Sequence, residues 1–193
     1  MDFSQSETAK NLMRAFAGES QARNRYTFAA SVAKKQDLPL LERVFLFTAG
    51  QEKEHAEIFY THLKALAGQT IFIDGGYPVD IDADIGNLLL KAKHNEFEEY
   101  EDVYPKFAAV AKEEGFAEVA QSFLMIAEIE KTHGERFLRY ANAVKDGTLF
   151  AATAEKEWLC LNCGHIHKGP KAPKVCPVCA HAQGYFIERE TKI

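Results

Sequence analysis

The chain has 193 residues, 47% of them hydrophobic and 26% charged, with a formal net charge of −5. That length supports one good core plus a small appendage, and the acidic balance speaks against nucleic acid as a partner. No run of 18 apolar residues is present, which argues against a membrane-spanning helix.

The N-terminus, MDFSQSETAKNLMR, lacks the cationic-then-apolar pattern of a signal peptide, so a cytoplasmic location is expected. Neither Gly-x-Gly-x-x-Gly nor a P-loop occurs, and no nucleotide site is visible. Apolar periodicity then predicts four helices. The first covers 6–36, with the stripe Leu12, Ala15, Phe16, Glu19, Ala22, Tyr26, Ala29, Ala33. The second covers 38–67, after the break at Asp37-Leu38-Pro39, with Leu41, Phe45, Thr48, Glu52, His55, Phe59, His62, Leu66. The third covers 82–114, with Ile85, Leu89, Ala92, Glu96, Glu99, Val103, Phe107, Val110. The fourth covers 115–145, with Phe116, Val119, Phe123, Ile126, Glu130, His133, Phe137, Tyr140, Val144.

Tight turns join helices one to two and three to four, so each pair should form an antiparallel hairpin. The longer segment GQTIFIDGGYPVDID between the hairpins can run the length of a bundle. One long crossover between two helical hairpins is the ferritin-like four-helix bundle, and the expected fold class is mainly α. From Lys145 the helical pattern fades. Residues 1–146 are expected to be the bundle, 147–157 a linker, and 158–193 a small module stapled by metal, since so short a segment cannot build a sufficient core.

Ionised carboxylates in apolar stripes need partners, because an unpaired buried charge is costly. Glu52/His55 and Glu130/His133 each place a carboxylate and an imidazole three residues apart, on one helical face. Glu19 precedes the first pair by 33 positions and Glu96 precedes the second by 34, an internal repeat. A Glu from each of two helices and Glu-x-x-His from each of the other two is the ligand set of ferritin-like di-iron and di-manganese bundles. Oxygen-rich coordination suits iron or manganese. Glu99 is a fifth carboxylate on the same face as Glu96, where the first helix has Ala22. It would favour a more oxidised metal pair. Tyr26 and Tyr104 follow Glu19 and Glu96 by seven and eight residues, and can reach the site as core tyrosines or as donors to the ligands. His62 reads as a hydrogen-bonded histidine at the bundle end, and Glu98, Glu101 and Asp102 as a solvated face.

All four cysteines follow residue 159, as Cys160-x-x-Cys163 and Cys176-x-x-Cys179. Two such knuckles in a chain without a secretion signal indicate a tetrahedral four-thiolate metal site rather than disulfides. Zinc would be structural there, whereas iron would carry single electrons. His165, His167 and His181 are left over from a complete site.

These residues resemble the rubrerythrin family along the whole chain. AFAGESQARNRY at 15–26, Glu52-Lys-Glu-His55, Glu96-Phe-Glu-Glu99, Val103-Tyr-Pro105 and Glu130-Lys-Thr-His133 match its ligand motifs, and the cysteines with Trp158 match its short rubredoxin-like domain. One departure is Ala180, where rubredoxin knuckles usually carry Gly. The resemblance implies a non-haem di-iron peroxidase with two irons in the bundle and one iron, or zinc in its place, at the cysteines. It implies hydrogen peroxide as substrate, with electrons from an NAD(P)H-linked reductase or small redox carrier. It also implies exchange of His55 and Glu99 as ligands, and a homodimer in which the rubredoxin-like domain serves the partner subunit. The rivals are an oxygen-reducing oxidase or ferroxidase on the same chemistry, and an iron-handling protein with a structural zinc module.

Overall fold

The computed structural model describes residues 2–191. Helix α1 spans Glu7–Lys35. Ser6 caps it, its hydroxyl oxygen accepting from the Ala9 N–H at 3.0 Å. The Glu114 carboxylate accepts from the Glu7 and Thr8 N–H groups at 3.0 and 2.8 Å. The otherwise orphaned donors of the first turn are thus satisfied by a residue from the far hairpin. The turn after α1 passes through Asp37, whose φ of 55° is left-handed, and Pro39 opens α2 (Pro39–His62) at a position that needs no N–H. A single 3-10 turn, Leu63–Leu66, finishes it.

Residues 67–84 form the crossover, without helix or strand. Ion pairs Arg14–Asp74 and Arg25–Asp80, both 2.6 Å, pin it along α1. Helix α3 (Ile85–Glu98) starts on an Asp84 cap whose side chain accepts from the Asn87 N–H at 2.8 Å. A π segment, Glu99–Val103, follows, then α4 (Tyr104–Glu113) and, past Gly115 at φ 91°, α5 (Ala117–Lys145). The third predicted helix is therefore shorter at its start and not uniform. Pro105 lacks the N–H that would close an α turn onto Glu101, and a wider turn takes its place. Two hairpins joined by one long crossover give the expected ferritin-like bundle. Among the described residues, no helix is long and apolar enough to cross a membrane.

The core is divided. One cluster contains Tyr26, Leu41, Phe45, Leu89 and Phe137. The other contains Leu12, Phe59, Tyr104, Phe123 and Ile126. Between them lies a buried polar layer made of Glu19, Glu52, His55, Glu96, Glu130 and His133, none more than 5% exposed. The apolar clusters exclude water from this layer on both sides and fix the helix faces that carry it.

The C-terminal module is a three-stranded antiparallel sheet in the order β2-β1-β3, from β1 (Ala151–Cys160), β2 (Ile166–Lys171) and β3 (Phe186–Glu188). Residues 151–157, expected as linker, are the first part of β1. Their run Ala-Ala-Thr-Ala-Glu-Lys-Glu has little strand propensity, and the pairing with β2 shifts register between Ala151 and Lys156. Trp158, Cys160, Cys176 and Phe186 make the module's small core, and the Trp158 indole N–H donates to the Gly169 carbonyl at 2.9 Å. Gly184 lies against the α1–α2 turn so closely that a Cβ there would come within 1.8 Å of the Asp37 carbonyl oxygen. Ile187 and Leu149 pack against the bundle's first core cluster.

Candidate metal centres

The buried layer resolves into two groups whose ligand atoms lie within 4.8 Å of one another: Glu19, Glu52, His55, Glu130 and Glu52, Glu96, Glu130, His133. Glu52 and Glu130 belong to both. His55 Nδ1 lies 3.1 Å from Glu52 Oε2 and 2.9 Å from Glu130 Oε1. His133 Nδ1 lies 3.0 Å from Glu52 Oε1 and 2.9 Å from Glu130 Oε2. Each shared carboxylate thus turns one oxygen to each histidine. Glu19 serves only the His55 side at 3.9 Å, and Glu96 only the His133 side at 3.4 Å. The imidazoles lie nearly parallel, 14° apart, with centroids 5.5 Å apart.

Two tyrosines hold the terminal carboxylates in a crossed pattern. Tyr26 of α1 donates to Glu96 of α3, and Tyr104 of α4 donates to Glu19 of α1. Tyr26 follows Glu19 by seven residues and Tyr104 follows Glu96 by eight. The π segment absorbs the extra residue, so both hydroxyls arrive at equivalent places.

This donor set fits two divalent cations. Glu19 Oε2, Glu52 Oε1, Glu96 Oε2, both Glu130 oxygens and both His133 nitrogens are buried without a hydrogen-bond partner. Several are within 3.1 Å of an opposite charge, yet not aligned for a hydrogen bond. Donor atoms that converge on common points rather than on each other are the mark of a metal cage. Without cations the charges crowd. Burial, with Glu130 and Glu52 nearby, pushes the Glu19 carboxyl well up, and burial beside Glu52 does the same to Glu96. For His55, burial is outweighed by its contacts with Glu130 and Glu52, which lift it to about 9. His133 is lifted to about 12 by Glu130, Glu52 and Glu96 against the same desolvation. Glu52, also desolvated, is held down at about 2 by the two imidazoles.

Glu99 is in neither group. It lies on the first residue of the π segment and lines a cavity beside the site, and burial together with Glu96, Glu130 and Glu52 raises its carboxyl strongly. Periodicity could not show which glutamates are shared, because that depends on how the helices rotate against each other. Arg136 was also not singled out. It reaches from α5 to Thr48 Oγ1 at 3.0 Å and Gln51 Oε1 at 3.2 Å of α2, and stacks on Phe47. Its place three residues past His133 was the available signal. His62, at the bundle end, bonds to Ser122 Oγ at 2.9 Å.

In the module, Cys160, Cys163, Cys176 and Cys179 form one group, with the Cys160–Cys179 and Cys163–Cys176 sulfurs each 3.7 Å apart. The knuckles are near copies. Gly164 and Ala180 donate to the carbonyls of Cys160 and Cys176 at 2.9 Å, and the carbonyls of His165 and His181 accept from Cys160 and Cys176 at 2.8 Å. The His181 backbone N–H helps bring the Cys179 thiol down to about 6. No histidine enters the four-sulfur group. Ala180 holds a left-handed φ of 59°, which costs a side chain about 1 kcal/mol. The two donor sets suit two irons in the bundle and one in the module.

The family model described as Rubrerythrin matches residues 10–141, and the one for the rubrerythrin rubredoxin-like domain matches 158–187. Rubrerythrin from Porphyromonas gingivalis is 47% identical over 186 residues, covering 96% of this chain and 92% of the relative. Rubrerythrin from Clostridium perfringens is 45% identical, covering 96% of both. Among solved structures, nigerythrin in its fully reduced, all-ferrous state superposes with a TM-score of 0.63 at 28% identity, over 95% of this chain and 90% of that one. On these matches, and on the two donor sets in their expected order, the chain belongs to the rubrerythrin family of oxidoreductases.

Proposed function

We propose that this chain reduces hydrogen peroxide to water at the bundle centre, consuming two electrons and two protons per peroxide. We further propose that iron at Cys160, Cys163, Cys176 and Cys179 returns the electrons singly. The observation that carries this is the pairing, in one chain, of a two-cation carboxylate cage with a separate four-thiolate site. Iron storage leaves the second site without an evident use. Residues 1–146 act as the catalytic unit and 158–193 as the electron-delivery unit.

When bound, two ferrous ions supply both electrons and polarise the O–O bond as Lewis acids. The protein's part is positional and electrostatic. Glu52 and Glu130 would be shared between the two cations, Glu19 and Glu96 would each hold one, and Tyr104 and Tyr26 hold those two carboxylates in place. His133 is the fixed imidazole. His55 sits among the donors here while Glu99 stands off, so His55 would be the exchangeable imidazole and Glu99 the carboxylate that would hold a more positive, oxidised pair in its stead. Glu99 and Tyr104 line the cavity through which protons arrive.

The donor is an NAD(P)H-linked reductase or a small redox protein, and the working unit is a homodimer in which each module serves the partner subunit's bundle. The site of action is the cytoplasm. Cys160→Ser tests the relay. Peroxide should still oxidise the reduced bundle centre in a single turnover, while steady turnover with an external donor falls at least ten-fold. Undiminished turnover would rule the relay out.

A further inference from the structure

A cavity of about 300 Å3 lies between α1 and the α3–α4 segment, roofed by the crossover. Its lining includes Glu99 and Tyr104 on one side, Gly18 and Gln21 of α1 on another, and Gly75 to Pro78 of the crossover. Tyr104 is buried and bonded to Glu19. The cavity's inner end is therefore one hydrogen bond from the cage, at the π segment, where an irregular turn often marks function.

The outer end is covered by Tyr77, which is 41% exposed. Its hydroxyl donates to the Arg14 carbonyl at 3.1 Å. Its ring folds back over Gly75, where a Cβ would come within 3.0 Å of the hydroxyl oxygen, and faces Gly18, where a Cβ would lie 3.7 Å from Cε1. The surrounding cations are neutralised: Arg14 pairs with Glu7 and Asp74, and Arg25 with Asp80. With Glu98 and Glu99 also in the lining, the passage offers an anion no net positive charge and suits a small uncharged oxidant.

We propose that this cavity is the access route by which small peroxides reach the di-metal centre, and that Tyr77, with Gly18 opposite, sets the size of what passes. This rests on the peroxidase proposal for the identity of the substrate, but the passage itself can be probed separately.

The iron-loaded full-length protein is compared with Tyr77→Ala and Gly18→Val, after each is shown to keep the parent absorption spectrum. In the oxidised protein, the rate of azide binding is followed by absorbance. In the reduced protein, oxidation by hydrogen peroxide is compared with oxidation by tert-butyl hydroperoxide. Tyr77→Ala is expected to speed azide binding several-fold and to shrink the preference for the smaller peroxide, while Gly18→Val slows azide several-fold. Azide rates unchanged in both variants would overturn the route. Should Gly18→Val not fold, Tyr77→Ala alone decides, since it lies on the crossover outside the helices. If azide rates respond while neither peroxide oxidises any of the proteins, the route stands and the peroxidase proposal falls.

Discussion

Glu52 and Glu19 look alike in the sequence, each a glutamate in an apolar stripe, but the fold gives them different duties. Glu52 turns one oxygen to each imidazole, whereas Glu19 touches only one side. Glu52→Ala should therefore strip both metal positions, and Glu19→Ala chiefly one. Metal analysis after gel filtration distinguishes them, with equal losses counting against the bridging role. The tyrosines add a second test. Tyr104→Phe leaves Glu19 without its buried donor, a loss of about 1–3 kcal/mol, and metal affinity should fall about ten-fold on the His55 side. Affinity unchanged in a competition titration would show that the hydroxyl is idle. The six converging donors were legible because a buried charge breaks an otherwise clean periodicity. The crossed tyrosine bonds, and the position of Glu99 outside both groups, were not, since both depend on helix rotation and on side chains from distant elements.

At the scale of elements, the π segment matters most. Its traces in the sequence are Pro105 and a pair of offsets, 34 against 33 between the paired glutamates and eight against seven from glutamate to tyrosine. A single extra residue has no signature in hydrophobic pattern, so a continuous helix was the natural expectation. Deleting Glu101 removes the extra residue that the π segment absorbs and leaves the seven-residue spacing of α1, so Tyr104 should keep its place at Glu19. Helical content by circular dichroism should hold and two metals should still bind per chain; loss of one metal position would show that the π segment does more than absorb the extra residue. The charged layer also predicts a pH dependence. His55 and His133, raised to about 9 and about 12, carry protons at neutral pH in the metal-free chain. Cations must displace those protons, so binding should release them and tighten as pH rises from 6 toward 9. Manganese titrations at several pH values check this, and an affinity that is flat or falls with pH would contradict it.

For the whole molecule, two donor sets on one chain, in the order bundle then thiolate module, carry the functional conclusion. Both were readable before any fold was known, because metal ligands keep strict spacings even where the surrounding structure does not. Less readable was how the module begins. Residues 151–157 lack strand propensity and become a strand only through pairing with β2, and Gly184 meets the α1–α2 turn through a contact that no local pattern encodes. The central claim is that peroxide, rather than oxygen, is the oxidant that draws electrons from the module through the bundle. Stopped-flow mixing of the fully reduced, iron-loaded protein with each oxidant tests it most directly, with the bundle and thiolate absorptions followed together. Peroxide should oxidise the bundle centre first and the thiolate iron after it, with oxygen at least ten-fold slower. Equal rates with oxygen, or a thiolate iron that stays reduced while the bundle centre turns over, would contradict it.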